Sequence, residues 1–283
     1  MTDNLARIED LRVQRPSFEL DGISFAVPRG TVVGLVGPNG AGKTTAIRAM
    51  LGLIAPDGGR AETFGLPAGS PHALARTGIV LDQPTAAEEW KVPTLGRRIA
   101  PFYPQWDEQR FVDLLARLSV PQSRRVGELS RGEGIKLSLA TALAQTPELL
   151  ILDEPSSGLD PASRREIAAI IREFMVDPDH AVLVSTHITA ELEGLADDLV
   201  VLVGGRIAHH GPLHEVVEQF AMARGAGAVP DGPVVGVQRS GEQWSGLIRM
   251  EDSAGFGAEV VIDAASIDDI VVHLGAERAE VAA

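Results

Sequence analysis

The stretch "TVVGLVGPNGAGKTT" constrains the fold of this chain more than any other. Residues 31–37 form a short, continuous apolar run with β-branched side chains, the pattern of a strand buried on both faces of a parallel sheet. Residues 37–45 satisfy G-x-x-x-x-G-K-[ST], and "TTAIRAMLGLI" continues with helical spacing. A strand that enters a glycine loop and then a helix is a phosphate-cradling unit. Gly37, Gly40 and Gly42 let the backbone turn its amides inward around phosphate oxygens, and Pro38, Asn39 and Ala41 complete the loop. Lys43 supplies positive charge to the β and γ phosphates of a nucleotide. Thr44 offers a hydroxyl to Mg²⁺, and Thr45 a further hydrogen bond. The chain carries 22 arginines and three lysines, Lys43, Lys91 and Lys136, so a lysine retained at 43 is itself a signal.

The remaining pattern alternates strands with helices. "LARIEDLRV" and "FELDGISFAV" read as strands, "GIVLDQP" as a strand ending in a proline, and "ELLILDEP" and "HAVLVSTH" as further buried strands. "PASRREIAAIIREFM" reads as a helix with proline near its start, and "ITAELEGLADDL" as another helix. "LVVLVGGRIAHHG" reads as a hairpin turning at Gly204-Gly205. From about 84 to 146 the pattern is helical, with "EQRFVDLLARL" the clearest amphipathic segment. "MARGAGAVPDGP" (222–233) reads as a linker, followed by three short strands and a capped helix starting at Ser266. These patterns predict an α/β fold: a P-loop core with a mainly parallel sheet, an N-terminal antiparallel β-subdomain, a helical subdomain at about 84–146, and a small C-terminal α/β extension. The expected division is 1–221 for the nucleotide-binding domain and 222–283 for linker and extension.

Composition excludes several roles. A net charge of −14 with no basic run argues against nucleic acid as a partner. It also argues against direct attraction to an anionic membrane surface, so any work at a membrane requires a protein partner to hold the chain there. No apolar run approaches the ~18 residues of a spanning helix. "MTDNLARIEDLRV" lacks the apolar region of a signal peptide. There are no cysteines, which removes disulfides and thiolate metal sites.

A second chemical signal is "LLILDEP". It sets Asp153 and Glu154 at the C-terminal end of a buried strand, where ligands of open α/β sheets bind. Asp153 suits Mg²⁺ through a water, and Glu154 suits an attacking water. A third is "LSRGE", where Ser130 and Glu133 form S-x-x-E ahead of an apolar, helix-spaced run, a capping box.

"GPNGAGKTT", "LSRGE", "LLILDEP", "SSGLD" and "STH" occur in the order and at the approximate spacing of ABC-type ATPases, which the chain resembles over about residues 5–215. "FYPQWDE" further resembles bacterial ATP-binding subunits whose permease is a separate chain. In that family two nucleotide domains meet head to tail around ATP. The resemblance implies that Ser130, Arg131, Gly132 and Glu133 form the signature that faces ATP held by the partner's P-loop, that Glu154 is the catalytic carboxylate, that His187 contacts the γ-phosphate and the attacking water, and that Asp160 crosses the interface. It implies ATP and Mg²⁺ as cofactors. The implied partners are a second nucleotide-binding subunit, identical or a paralogue, and a separate transmembrane permease, with the chain cytoplasmic and peripheral on the inner face of the membrane.

Three features depart from the family pattern. The signature reads LSRGE rather than LSGGQ, which places Arg131 and an extra negative charge, Glu133, near phosphate. The aromatic residue expected to stack on adenine is replaced near Gln14, with Phe18 the closest ring. The loop that senses Mg²⁺ and the permease offers Asp82 by strict alignment or Gln83 by chemistry; Gln83 is taken as the metal-sensing residue. Trp90, an aromatic among charges, is either an anchor for a permease helix or part of the insert's packing. The 222–283 segment is either an appendage completing the fold or a dimer or regulatory contact. The rival functions are a non-transport ABC ATPase and a weakly hydrolytic, nucleotide-dependent regulatory module.

Overall fold

The structure, a computed structural model, describes residues 3–16, 18–81, 86–230 and 232–281, with the backbone alone over 277–281. Asp82 and Gln83 lie outside the described residues. The two alternating N-terminal runs form β1 (Asn4–Arg15) and β2 (Phe18–Pro28), paired antiparallel. β3 (Val32–Val36) follows with all five residues buried, then α1 (Lys43–Met50). α1 ends four residues before the predicted helix does, because Gly52 turns to φ +70. β4 (Gly58–Thr63) and β5 (Leu66–Pro67) complete an antiparallel sheet of order β2-β1-β4-β5.

A one-turn α2 (Pro71–Leu74) precedes β6 (Thr77–Val80). The insert that splits the core is helical as expected: α3 (Val92–Ile99), α4 (Glu108–Arg117) and α5 (Arg131–Ala144). In α4 the apolar stripe Phe111, Leu114 and Leu115 is buried, and the Asp107 carboxylate caps the helix by accepting from the Arg110 N–H at 2.9 Å.

β7 (Leu149–Asp153), α6 (Pro161–Phe174), β8 (Ala181–Thr186), β9 (Asp198–Val203) and β10 (Arg206–Pro212) complete the central sheet. Its order is β10-β9-β3-β8-β7-β6, parallel except for β10. Every residue of β3, β7 and β8 is buried. Each such Leu, Ile or Val contributes roughly 1.5–3 kcal/mol, which fixes the three strands at the centre of the sheet. Gly204 (φ +53) and Gly205 (φ +73) form the predicted hairpin turn between β9 and β10.

Two readings are corrected. Residues 188–199 are not a helix: a single 3₁₀ turn, Thr189–Glu191, gives way to successive turns and then to β9 at Asp198. Gly194 is left-handed (φ +67), and Asp197 spends its amide on Val32 O and its carboxylate on the Val32 N–H, so the helical ladder has no donor to continue it. The glycine- and alanine-rich segment at 222–233 is not a linker throughout. Residues 222–226 belong to β11 (Phe220–Ala226), which follows α7 (Leu213–Gln219). β11 lies inside a sheet of order β12-β13-β11-β14, with β12 (Val235–Ser240), β13 (Gln243–Arg249) and β14 (Val261–Ala264). Gly225 pairs across the strands with Trp244, and a Cβ there would stand 2.8 Å from the indole ring.

α8 (Ile267–Val281) begins at the predicted cap: the Asp269 N–H donates to Ser266 Oγ at 3.1 Å and the Ser266 N–H to Asp269 Oδ2 at 3.0 Å. Two apolar layers cover the central sheet. One lies between it, α1 and the N-terminal sheet. The other joins it to the helices, and Phe220, Met222, Leu247, Ile267 and Ile270 of the C-terminal unit lie in that same cluster.

Candidate functional site

β3, β8 and β7 are consecutive neighbours, so the loops leaving their C-terminal ends converge. The loop after β3 is the glycine loop. Gly37 (φ +156) has no room for a Cβ, which would run into the Leu202 carbonyl, and Gly42 (φ +109) lies under the side chains of Phe18 and Leu20. Lys43 opens α1, is almost fully buried, and donates from Nζ to Gly37 O at 2.8 Å. The ammonium therefore lies curled inside the loop it serves.

The loop after β7 carries the acid pair. Asp153 is fully buried, and its Oδ1 accepts from Ser185 Oγ at 2.5 Å. Glu154 is left-handed (φ +52), uncommon for a residue with a Cβ and a mark of a backbone held by its surroundings. Its N–H is held by Ser185 O at 3.0 Å. This turn swings the Glu154 side chain back toward the glycine loop, where Oε1 lies 3.3 Å from Lys43 Nζ. The loop after β8 supplies His187, whose Nδ1 lies 2.6 Å from Glu154 Oε2. Lys43, Glu154 and His187, 144 residues apart at the extremes, thus form one chain of contacts.

These residues line one cavity of about 660 Å³ with Asn39, Gly40, Ala41, Gly42, Thr44, Thr45, Ser157, Arg131 and Phe18. Phe18 gives the cavity an aromatic wall. Gln14 instead bonds Glu19 and, through its N–H, Asp57. Thr44 on the cavity wall and Asp153 at the strand end are oxygen donors of the kind Mg²⁺ takes. Magnesium needs few protein ligands, because it retains waters and accepts phosphate oxygens.

The signature residues cap α5. Ser130 Oγ accepts from the Glu133 N–H at 3.3 Å, and Glu133 Oε2 accepts from the Ser130 N–H at 2.7 Å, closing the predicted capping box. Glu133 also pairs with Arg124 at 3.3 Å. The Ser130 backbone donor, helped by Arg124, keeps this carboxyl below its ordinary range. At Gly132 a Cβ would stand 2.7 Å from Leu159 Cδ2, so a side chain there requires the Leu159 side chain to shift. Ser130 is absent from the cavity lining of its own chain, whereas Arg131 reaches it past Gly158. Asp160 caps α6, accepting from the N–H groups of Ala162 and Ser163 and from Ser163 Oγ, and these bonds from Ser163 and Ala162 hold its carboxyl at about 2.

Sequence reading gave no role to Ser185, although it opens "STH", and did not find Glu191. Ser185 binds both members of the acid pair, while Glu191 joins the loops after β7 and β8. Both act on residues more than thirty positions away, and only the parallel order of β7 and β8 brings them together.

A family model described as ABC transporter matches residues 20–157. The chain is 38% identical over 213 residues to a Nod factor export ATP-binding protein I of Rhizobium sp. (strain N33), covering 71% of this chain and 68% of the relative. It is 36% identical over 221 residues to a protein of the same name from Neorhizobium galegae, covering 74% of this chain and 62% of that one. A solved ATP-binding subunit of an ABC transporter superposes with a TM-score of 0.70 at 29% identity, over 76% of this chain and 92% of that one. The matched region carries the glycine loop, the signature and the acid pair, and the chain belongs to the ABC transporter family as an ATP-binding protein and an ATPase.

Proposed function

We propose that this chain is the ATP-hydrolysing subunit of a transporter whose membrane path lies in a separate permease. The observation that carries this reading is the contact series Lys43–Glu154–His187 around the glycine-loop cavity. Lys43 and the loop amides hold the phosphates, and Thr44 and Asp153, with Gln83, serve Mg²⁺, which when bound neutralises phosphate charge. Glu154 takes the proton of, or orients, the attacking water, and His187 holds that carboxylate in place.

The nucleotide closes a head-to-tail pair of such subunits, identical or paralogous, in which Ser130, Gly132 and Glu133 face the ATP of the partner and Asp160 bridges the interface. Exposure of Ser130 at the start of α5 supports this, because a capped helix N-terminus on the surface is ready to meet an anion on another molecule. Closure and reopening would drive the permease.

The permease has a fitting surface. A groove of about 520 Å³ beside the insert is lined by Leu53, Ile79, Leu81, Trp90 and Phe102, and Phe102 and Leu53 are largely exposed. Trp90 serves both readings: it packs on the core and carries Arg98 over its ring at 4.8 Å while lining the groove. Among the described residues no helix is long and apolar enough to cross a membrane. Docking to the permease would therefore hold the chain at the inner membrane face. The relatives named for export support an outward direction. The nucleotide-binding domain of about 1–221 and the extension of 222–283 would meet at β11 (Phe220–Ala226), which starts the C-terminal sheet, and the two share a common core.

The test is Glu154→Gln with Mg-ATP. Turnover should be abolished and an ATP-trapped dimer should elute on gel filtration, and the wild-type chain purified from membranes should bring a multi-span protein with it. Near-normal turnover in the variant, or co-purification with ribosomes or DNA instead, would sink the reading.

A further inference from the structure

Glu191 connects two loops of the site without touching the cavity. It ends the turn Thr189–Glu191, four residues beyond His187. Its Oε2 accepts from Ser156 Oγ and, at 3.4 Å, from Thr186 Oγ1. Its Oε1 faces Arg164 Nε at 3.6 Å, and that Nε also donates to Leu159 O at 3.0 Å. Ser156 and Leu159 belong to the segment between Glu154 and α6. Thr186 immediately precedes His187, and its Oγ1 accepts from the Ile188 N–H at 2.9 Å, which shapes the turn that presents His187. Ser156 and Thr186 are buried, so without Glu191 both hydroxyls would lose a partner that water does not replace.

The geometry points to Glu191 as a positioning residue for hydrolysis. It fastens the loop bearing His187 to the segment 155–160, and so sets the 2.6 Å contact between His187 Nδ1 and Glu154. The same bracket holds the segment that carries Asp160. This rests on reading Glu154 and His187 as the catalytic pair.

The test is a double-mutant cycle in the full chain, measuring phosphate release from Mg-ATP and binding of a fluorescent ATP analogue. Glu191→Ala should lower kcat by about 30-fold, within the range of coupling between residues linked through one hydrogen-bond network or a backbone shift, and leave KM for ATP within about threefold. Glu191→Gln, which keeps one acceptor, should recover part of the loss. In a His187→Ala background the Glu191→Ala change should cost less than about threefold, because the group it positions is gone. Equal losses in both backgrounds, an unchanged kcat, or a loss that tracks weakened nucleotide binding would overturn the proposal while leaving the catalytic pair in place. If His187→Ala alone leaves turnover intact, the pair itself fails and the proposal falls with it.

Discussion

Glu154→Gln should move nucleotide binding and turnover in opposite directions. Lys43 Nζ is 3.3 Å from Glu154 Oε1, with side chains 6% and 14% exposed. At an effective dielectric of 20 the gross attraction is about 5 kcal/mol, most of it offset by the cost of keeping two charges out of water. A γ-phosphate must compete with this carboxylate for the same ammonium. Glutamine removes the competing charge but keeps the side-chain length and an oxygen. A residual of about 1.4 kcal/mol corresponds to a tenfold gain in ATP affinity. Loss of the carboxylate as base should slow hydrolysis by about 10²–10⁴. The assay is titration of a fluorescent ATP analogue at a protein concentration where gel filtration gives monomer, paired with phosphate release. Monomer is needed so that tighter binding cannot come from dimer closure. ATP binding that weakens in the variant would refute the competition, and turnover within threefold of wild type would refute the role of Glu154.

Glu133→Gln keeps an acceptor for the Ser130 N–H while removing a charge from the face proposed to meet phosphate, so the ATP-bound dimer should tighten by several fold; a looser dimer on gel filtration would count against this. Asp160 titrates at about 2 in the folded chain, so it stabilises the fold fully above its ordinary range, and this contribution disappears as pH falls from about 4 toward 2. Urea midpoints of wild type and Asp160→Asn should therefore converge across that window, and parallel curves would refute the assignment. Gly225→Ala pushes a methyl into the Trp244 ring and should cost about 1–3 kcal/mol, read as a lower Tm with ATP binding unchanged; an unaltered Tm would show that the ring does not lie on Gly225.

The site was legible where chemistry and local pattern coincide. Residues 31–45 announce themselves because a buried strand, a glycine loop and a helix start each leave a separate mark within fifteen positions. Asp153 and Glu154 were legible for the same reason, since a run as apolar as 149–152 leaves an acid only at its end. The capping box at Ser130 was legible because a helix start is a local event. What failed was long-range. "ITAELEGLADDL" has helical spacing, but β9 claims its last residues and Asp197 is used by β3. Residues 222–226 look like coil by composition and are strand because β13 pairs with all of them and β14 with residues 222–224 on the other edge. The left-handed turn of Glu154 and the bracket around Glu191 depend on which strands lie side by side, information carried by no short window.

The C-terminal unit is bolted to the ATPase rather than tethered to it. α8 packs against β9 and against the turn Thr189–Glu191, and Ile267 and Ile270 are buried in the same apolar cluster as Leu192. Removing residues beyond 221 would therefore uncover a greasy floor directly behind the histidine loop, and a shortened chain should tend to aggregate. A displacement of α8 would be felt first at the turn Thr189–Glu191, so the appendage and the loop that bears His187 are mechanically one piece.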